Sequence, residues 1–500
     1  MRIFHTIIIG LLLATLCGVN IAAAQGGDAG AAVDAPLPLD PVAASQVLRQ
    51  TFLSGYENYS RERFPEACRD LYQYYSRTGP DDADNDWTTF FLGISLKKAG
   101  FSHAAVDTLA NLVIRKPNTK IVLYSLELLE EISRNQPFDR ELLLDTAVCD
   151  QSYDFVDGRI ADFVNYYQGK YNWERGLFAW GDEHFGKLPE DSYYYGKYLF
   201  ESGLRELYAG RTDAAVSLLR QVLGAGTASE SLKNDARKTL ARLYYEIGRF
   251  EEADFLYQQI EMNIVEQSQN LLERAWVHYR MGNPERAMGL LYSFEAPSFE
   301  NSFTPEFYIL KSFIYKDVCH YEKAMGVLTD FNGRYGQALT RVYERRGVRD
   351  NEALLLVILN KPRVKQLWEF LSLLEEETRR IDTVQDEALA AYLEQLYRLK
   401  QDEYERLLRL RIEDTYETMA DNLLQFEEEA DLMAYEIGLD MYQRVSEVHY
   451  TEDEIEAEAS KTGMVSYAFQ GEFWNDELDH YTVSLPDKCQ DAEEWDIFFK

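Results

Sequence analysis

The chain has 500 residues, 46% hydrophobic and 13% aromatic, with 34 tyrosines, a composition that supports a large folded core and not a disordered chain. It sets 85 Asp and Glu against 51 Lys and Arg, a formal net charge of −34. That balance argues against nucleic acid or anionic lipid as a partner, because neutralising phosphate needs a basic footprint the chain lacks.

Residues 1–24 read as a secretory signal peptide. Arg2 supplies the positive start, Ile7–Leu16 a short apolar core, and Ala22-Ala23-Ala24 a small-x-small cleavage site before Gln25. The apolar run is short for a bilayer span, and Ala14-Thr15-Leu16 ahead of Cys17 does not suit a lipoprotein. No later stretch is apolar enough to span, so the mature chain is expected in the periplasm or outer envelope, with no direct membrane span after signal cleavage. Residues 25–44, rich in Gly, Ala, Pro and Asp, read as a flexible linker.

From 45 to 335 a 34-residue pattern recurs, most clearly at Asp86–Thr119 and Asn234–Gln267. Leu92, Gly93 and Leu96 match Leu240, Ala241 and Tyr244. After the turns at Gly100 and Gly248, Ala105 and Leu109 match Ala253 and Tyr257. Small residues at Gly93/Ala241 and Ala105/Ala253 let two helices approach, and large ones at Leu96/Tyr244 and Leu109/Tyr257 fill the groove between them. A helical hairpin of this size cannot bury its apolar face alone, so neighbours must stack. Weaker copies carry Gly55, Ala67 and Leu71; Gly203, Ala215 and Leu219; Ala275, Ala287 and Leu291; and Tyr315, Ala324 and Leu328. Ile121–Pro189 departs from the pattern, with Trp173, Gly176 and Trp180 marking a degenerate pair. About seven helix pairs are expected.

These residues resemble the tetratricopeptide repeat (TPR) consensus: small at the eighth and twentieth positions, large at the seventh, eleventh and twenty-fourth, with Pro117 near the thirty-second. The second copy departs from it with Val265 where Pro is usual. The resemblance implies an all-α, right-handed α-solenoid whose concave groove, lined by the first helix of each pair, accepts an extended segment or helix of a protein partner. Lys97, Arg237, Arg242 and Arg274 are candidate groove residues, basic islands suited to an acidic peptide.

Residues 336–450 contain no Gly between Gly347 and Gly438 and read as a long helical, coiled-coil-like extension. Two or three long antiparallel helices are expected, one around Val364–Thr378 and others across Val384–Val448. Ile412, Tyr416, Met419, Leu423, Phe426, Ala430, Met433 and Ile437 form a heptad seam, continued upstream by Leu389, Leu393, Leu396, Tyr404 and Leu408. The seam suits an intramolecular contact or a homo-oligomer. Residues 451–500 form an acidic stretch and then an aromatic tail with Tyr467, Phe469, Phe473, Trp474, Leu478, Tyr481, Trp495, Phe498 and Phe499. The run Gly471-Glu472-Phe473-Trp474-Asn475-Asp476-Glu477-Leu478 and the Tyr315–Leu328 helix pair with Cys319 resemble TPR proteins of the deltaproteobacterial envelope, some of them associated with gliding. That resemblance implies an envelope scaffold.

Four cysteines follow the signal, with no C-x-x-C pair. An oxidising compartment permits two disulfides in any of three pairings; Cys319–Cys489 with Cys68–Cys149 is the pairing expected. No G-x-S-x-G, H-E-x-x-H or phosphate-binding loop occurs. His103 and His320 fall near inter-helix turns and read as solvated or capping residues. Asp82-x-Asp84-x-Asp86 lacks the Gly and Glu of a calcium loop and reads as a turn, with Asp86 capping the next helix. No cofactor, metal or catalytic residue is expected. The reading is a non-enzymatic protein–protein scaffold of a cell-envelope complex. The alternative is a glycan- or peptidoglycan-binding protein using the aromatic-acidic tail.

Overall fold

A computed structural model describes residues 41–79, 82, 84–260, 264–299, 302–443 and 478–489. The signal peptide, the acidic stretch and most of the aromatic tail lie outside the described residues. The chain divides into a unit of residues 1–50 and a compact unit of residues 51–500. The first helix, α1 (Pro41–Ser60), begins inside the stretch read as linker, at a proline suited to a first helical turn.

Among the described residues, seven hairpins follow one rule. They are α1 with α2 (Phe64–Tyr75), α3 (Asn85–Lys98) with α4 (Ser102–Ile114), α6 (Gly158–Glu174) with α7 (Phe178–Phe185), α8 (Tyr193–Tyr208) with α9 (Thr212–Gly224), α10 (Glu230–Glu246) with α11 (Phe250–Gln258), α12 (Ile264–Arg280) with α13 (Pro284–Tyr292), and α14 (Pro305–Asp317) with α15 (Tyr321–Tyr343). A small residue on the first helix faces a large one sixteen positions later. A Cβ on Gly55, Gly93, Gly169 or Gly203 would stand 2.6 to 2.9 Å from Leu71, Leu109, Phe185 or Leu219, so glycine at these sites lets the helices meet. Ala67, Ala105, Ala215, Ala253, Ala287 and Ala324 on the second helices have no exposed surface. Each hairpin turns through one left-handed residue: Glu62, Gly100, Gly176, Gly210, Gly248, Gly282 or Cys319. The next N–H then closes back on the carbonyl five residues earlier, as in Phe101 to Leu96 and His320 to Tyr315, both 2.8 Å, the Schellman closure of a helix end.

An eighth pair stands second from the α3–α4 hairpin onward and breaks the rule. There α5 (Thr119–Asn135) is followed by a π-helical segment, Glu141–Cys149. Gln136 is extended (φ −155°, ψ 161°) because Pro137 excludes the helical conformation just before it. The left-handed turn is lost and the register with it. The stack is a TPR-like α-solenoid, and no strand occurs among the described residues.

The C-terminal extension comprises α16 (Glu352–Leu359), α17 (Pro362–Arg380) and a single 57-residue helix, α18 (Glu387–Gln443). The several helices expected across Val384–Val448 are thus one helix, since no proline or capping break interrupts it. Its seam is buried intramolecularly. Leu389, Leu393, Tyr397, Tyr404, Leu408, Met419, Leu423, Ala430, Met433 and Ile437 share one core with Leu71, Leu92 and Leu96 of the first two pairs and with Ile309, Leu328 and Phe331 of the last. At the upstream irregularity it is Tyr397, not Leu396, that is fully buried. Thus α18 touches α2, α4, α14 and α15.

Polar locks fix the extension. Glu377 on α17 accepts the N–H groups of Ser102 (2.8 Å) and His103 (3.0 Å) and the hydroxyl of Tyr397. It caps α4 from 275 residues away, satisfying two of the helix's orphan donors. Arg380 donates to the Gly100 carbonyl at 2.9 Å. Buried Asp139 binds Lys400 (2.6 Å) and the Tyr404 hydroxyl (3.1 Å).

Two expectations for single residues are corrected. His103 is buried between the rings of Phe370 and Tyr397, because the extension covers its turn; His320 is buried because residues 486–489, tied down at Pro486 and Cys489, cover its turn. Asp86 lies in the first turn of α3 behind Asp84, the residue at the cap position, and Asp82 accepts Tyr74 Oη (2.5 Å) and Asp84 N–H (3.0 Å).

Candidate functional site

Residues 478–489 lie as an extended strap on the last two hairpins. Leu478 and Leu485 are buried with Ala287, Leu291 and Phe307. The rest is held through main chain. Val483 N–H donates to the Glu285 carbonyl (3.2 Å) and Lys488 N–H to that of Val318 (3.2 Å). Arg286 donates to the carbonyls of Tyr481 (2.8 Å) and Asp479, Ser293 to that of Leu478, and His320 Nε2 to that of Pro486 (2.8 Å). Gly289 permits the approach, since a Cβ there would collide with the Tyr481 carbonyl. Cys319 and Cys489 form a disulfide with Cα atoms 5.3 Å apart. Cys68 and Cys149 do not pair: both are free thiols, because Cys68 belongs to the core of the first two pairs and Cys149 packs against the separate core of the irregular pair.

A buried charge cluster anchors the strap. Arg274 bonds Asp254 at 2.8 Å and Asp479 at 3.1 Å, and His278 Nε2 lies 3.4 Å from Asp254. Burial raises the Asp254 pKa, but His278 and Arg274 outweigh it and hold the carboxyl well below the usual range. Burial, with Arg274 nearby, lowers the Arg286 pKa.

The four basic residues assigned to the groove are not brought together, and none is a free cation. Arg274 is 3% exposed and lies beneath the strap. Lys97 pairs with Glu131 (2.6 Å), Arg237 with Glu230 (3.6 Å) and Arg242 with Glu273 (2.5 Å). For Lys97 and Arg242 the acid sits on the next hairpin, about one repeat further along the sequence, where stacking alone makes them neighbours. The premise of an acidic peptide on basic islands falls. What the first helices carry instead is aromatic. Tyr56 meets Phe91 at 5.0 Å, Trp87 stacks on Phe91 at 5.9 Å, and Phe90 meets Tyr124 at 6.0 Å, leaving Tyr56 and Tyr124 nearly half exposed.

Where the irregular pair meets α6 and α7 a cleft of about 520 Å³ opens, lined by Asn165, Gln168, Asn172, Trp180, His184 and Cys149 among others. The Gln168 amide donates to the carbonyls of Val148 (2.9 Å) and Gln151 (2.7 Å), and His184 Nδ1 lies 3.0 Å from Asn165 Oδ1. Trp180 is 64% exposed. Burial pushes the Cys149 thiol up to about 12, so it is no nucleophile at neutral pH. No group of three or more metal-ligating side chains occurs among the described residues. No helix among them is long and apolar enough to cross a membrane.

No protein-family model matches the chain, and no curated protein matches it in sequence. Solved structures similar to it include a tetratricopeptide repeat protein from Parabacteroides merdae, at 15% identity over 58% of this chain and 93% of that one, with a TM-score of 0.23. The apo form of RapI is similar at 8% identity over 73% and 98% of the two chains, with a TM-score of 0.31. The TPR domain of P58(IPK) is similar at 12% identity over 78% and 99%, with a TM-score of 0.22. At these scores the repeat assignment rests on the hairpin geometry of the chain itself.

Proposed function

We propose that this protein is an exported scaffold of a bacterial cell-envelope complex that holds an extended segment of a protein partner on its hairpin stack. The strap carries the reading. An extended segment already lies on the stack, held by leucine anchors and main-chain hydrogen bonds, which is the way such surfaces take peptides. The aromatic ledge at Tyr56, Phe91 and Tyr124 is the complementary open surface, with large rings as in the centre of binding interfaces. The Cys319–Cys489 disulfide and the signal-like N-terminus support an oxidising compartment. A photo-crosslinking residue placed at Tyr56 or Tyr124 in an exporting host should trap a discrete protein, while one at Asn360 traps none; equal labelling at all three sites, or a chain found in the cytoplasmic fraction, would sink the proposal.

A second reading, glycan binding, is supported by the cleft beside Trp180, where an indole face borders amides and a histidine. Binding to purified peptidoglycan that survives deletion of residues 463–500 but not Trp180→Ala would favour it over the first.

A further inference from the structure

A second apolar stripe runs along α18, opposite the buried seam. Leu399, Leu407, Leu410, Leu432, Tyr435 and Leu439 are 41 to 65% exposed. At about 100° per residue they fall within an arc of roughly 80°. The stripe is in two patches. Arg406, Arg409 and Arg411 flank the first, with Asp402, Glu403, Glu405 and Glu413 also beside it; Glu429 and Asp431 flank the second, with Glu428 on its face. Between them the exposed face is acidic and polar, through Asp414, Glu417, Thr418, Asp421 and Asn422, like charges that oppose pairing at the centre of the stripe.

This order reads the same when the helix is reversed against itself. With residue i opposite roughly residue 840 − i, the first patch lies on the second, twice. Arg411 then faces Glu429 along one flank and Arg409 faces Asp431 along the other, basic on acidic at both ends. We propose that α18 pairs antiparallel with α18 of a second copy of this chain, on a two-fold axis near Ala420. The result is an isologous dimer, a property beyond the scaffold role and independent of it. The stripe is about 60 Å long and one helix, about 10 Å, wide. Roughly 600 Å² on each copy clears the about 1,000 Å² that a specific interface needs. The net charge of −34 per chain opposes association, so the dimer forms best at physiological ionic strength, where long-range repulsion is screened over about 8 Å.

The test is sedimentation velocity on the full mature chain. A dimer is expected. Leu410→Glu should leave the helical spectrum unchanged and give a monomer. Arg411→Glu should weaken the dimer on the order of tenfold, and adding Glu429→Arg should restore it, a rescue that a folding defect would not show. Asp421→Cys should crosslink two chains across the axis under oxidation. A monomeric mass at every concentration overturns the proposal. So does a dimer indifferent to Leu410 and Arg411, which places the contact elsewhere. A monomer whose Leu432–Leu439 region resists hydrogen exchange also overturns it, by assigning the stripe to residues 444–477 of the same chain.

Discussion

His103 is a histidine in a place built for an apolar ring. Neither of its nitrogens finds a hydrogen-bond partner among the described residues, and burial first, with Lys400 adding and Asp139 opposing, lowers its pKa to about 4. The unfolded chain takes up a proton near 6.5 that the folded chain refuses until about 4, so stability falls as pH drops through that window. The linkage amounts to about 3 kcal/mol. Melting temperature measured from pH 7 to 4.5 should fall steeply in the native chain and more gently in His103→Leu. Asp254 titrates lower. Its depressed pKa contributes stability above the ordinary aspartate value of 3.8, lost as pH falls below it toward the folded pKa. Asp254→Asn should lower stability by about 1–3 kcal/mol at pH 7, since the buried Arg274 loses one of its two carboxylates and keeps only Asp479, and flatten the acid limb below pH 4. The small-residue positions were legible in the sequence because Gly93, Ala105, Ala241 and Ala253 have one physical reason to be small. The partners of Lys97, Arg242 and Arg274 were not, because each lies on another hairpin or on the strap, and sequence spacing does not encode stacking.

Among the elements, five of the seven hairpins carry a turn glycine the sequence shows, while the turns at Glu62 and Cys319 give no such signal, and the irregular third pair was visible only as a departure. Pro137 explains it, but a single proline does not announce a π-helical segment. The long helix was legible as helix and as a seam; its single continuous span and its partners were not, since an a/d pattern does not say what faces it. The strap was legible at one point only. The Cys319–Cys489 pairing expected from the sequence ties the tail to the last hairpin, but the path of residues 478–488 across Gly289 had no signal in the sequence. Because a disulfide closes a loop of 170 residues, Cys489→Ser should destabilise the native fold by about 2–4 kcal/mol. Reductant should bring the native chain to the same melting temperature, and hydrogen exchange in α13 should rise in both. Equal exchange in α13 with and without Cys489 would show that the strap holds by its leucines alone.

For the molecule as a whole, the shared core ties the beginning of the stack to its end. Repeat arrays usually melt as a chain of neighbour contacts. Here the first two pairs and the last lend Leu71, Leu92 and Phe331 to a core completed by α17 and α18. Truncation after Asp350 should therefore raise hydrogen exchange in α4, which loses its Glu377 cap, as much as in the adjacent α15. If only α15 loosens, the two ends are energetically independent.

That bridge makes α18 a ruler. Its 57 residues span about 85 Å at 1.5 Å per residue, and the stations it must reach on α2 and α15 sit at fixed marks along it. Open solenoids tolerate gaining or losing a unit. Splicing a duplicate of Asn234–Gln267 into this one would move one station off its mark, so the number of hairpins is set by the length of a helix that belongs to none of them.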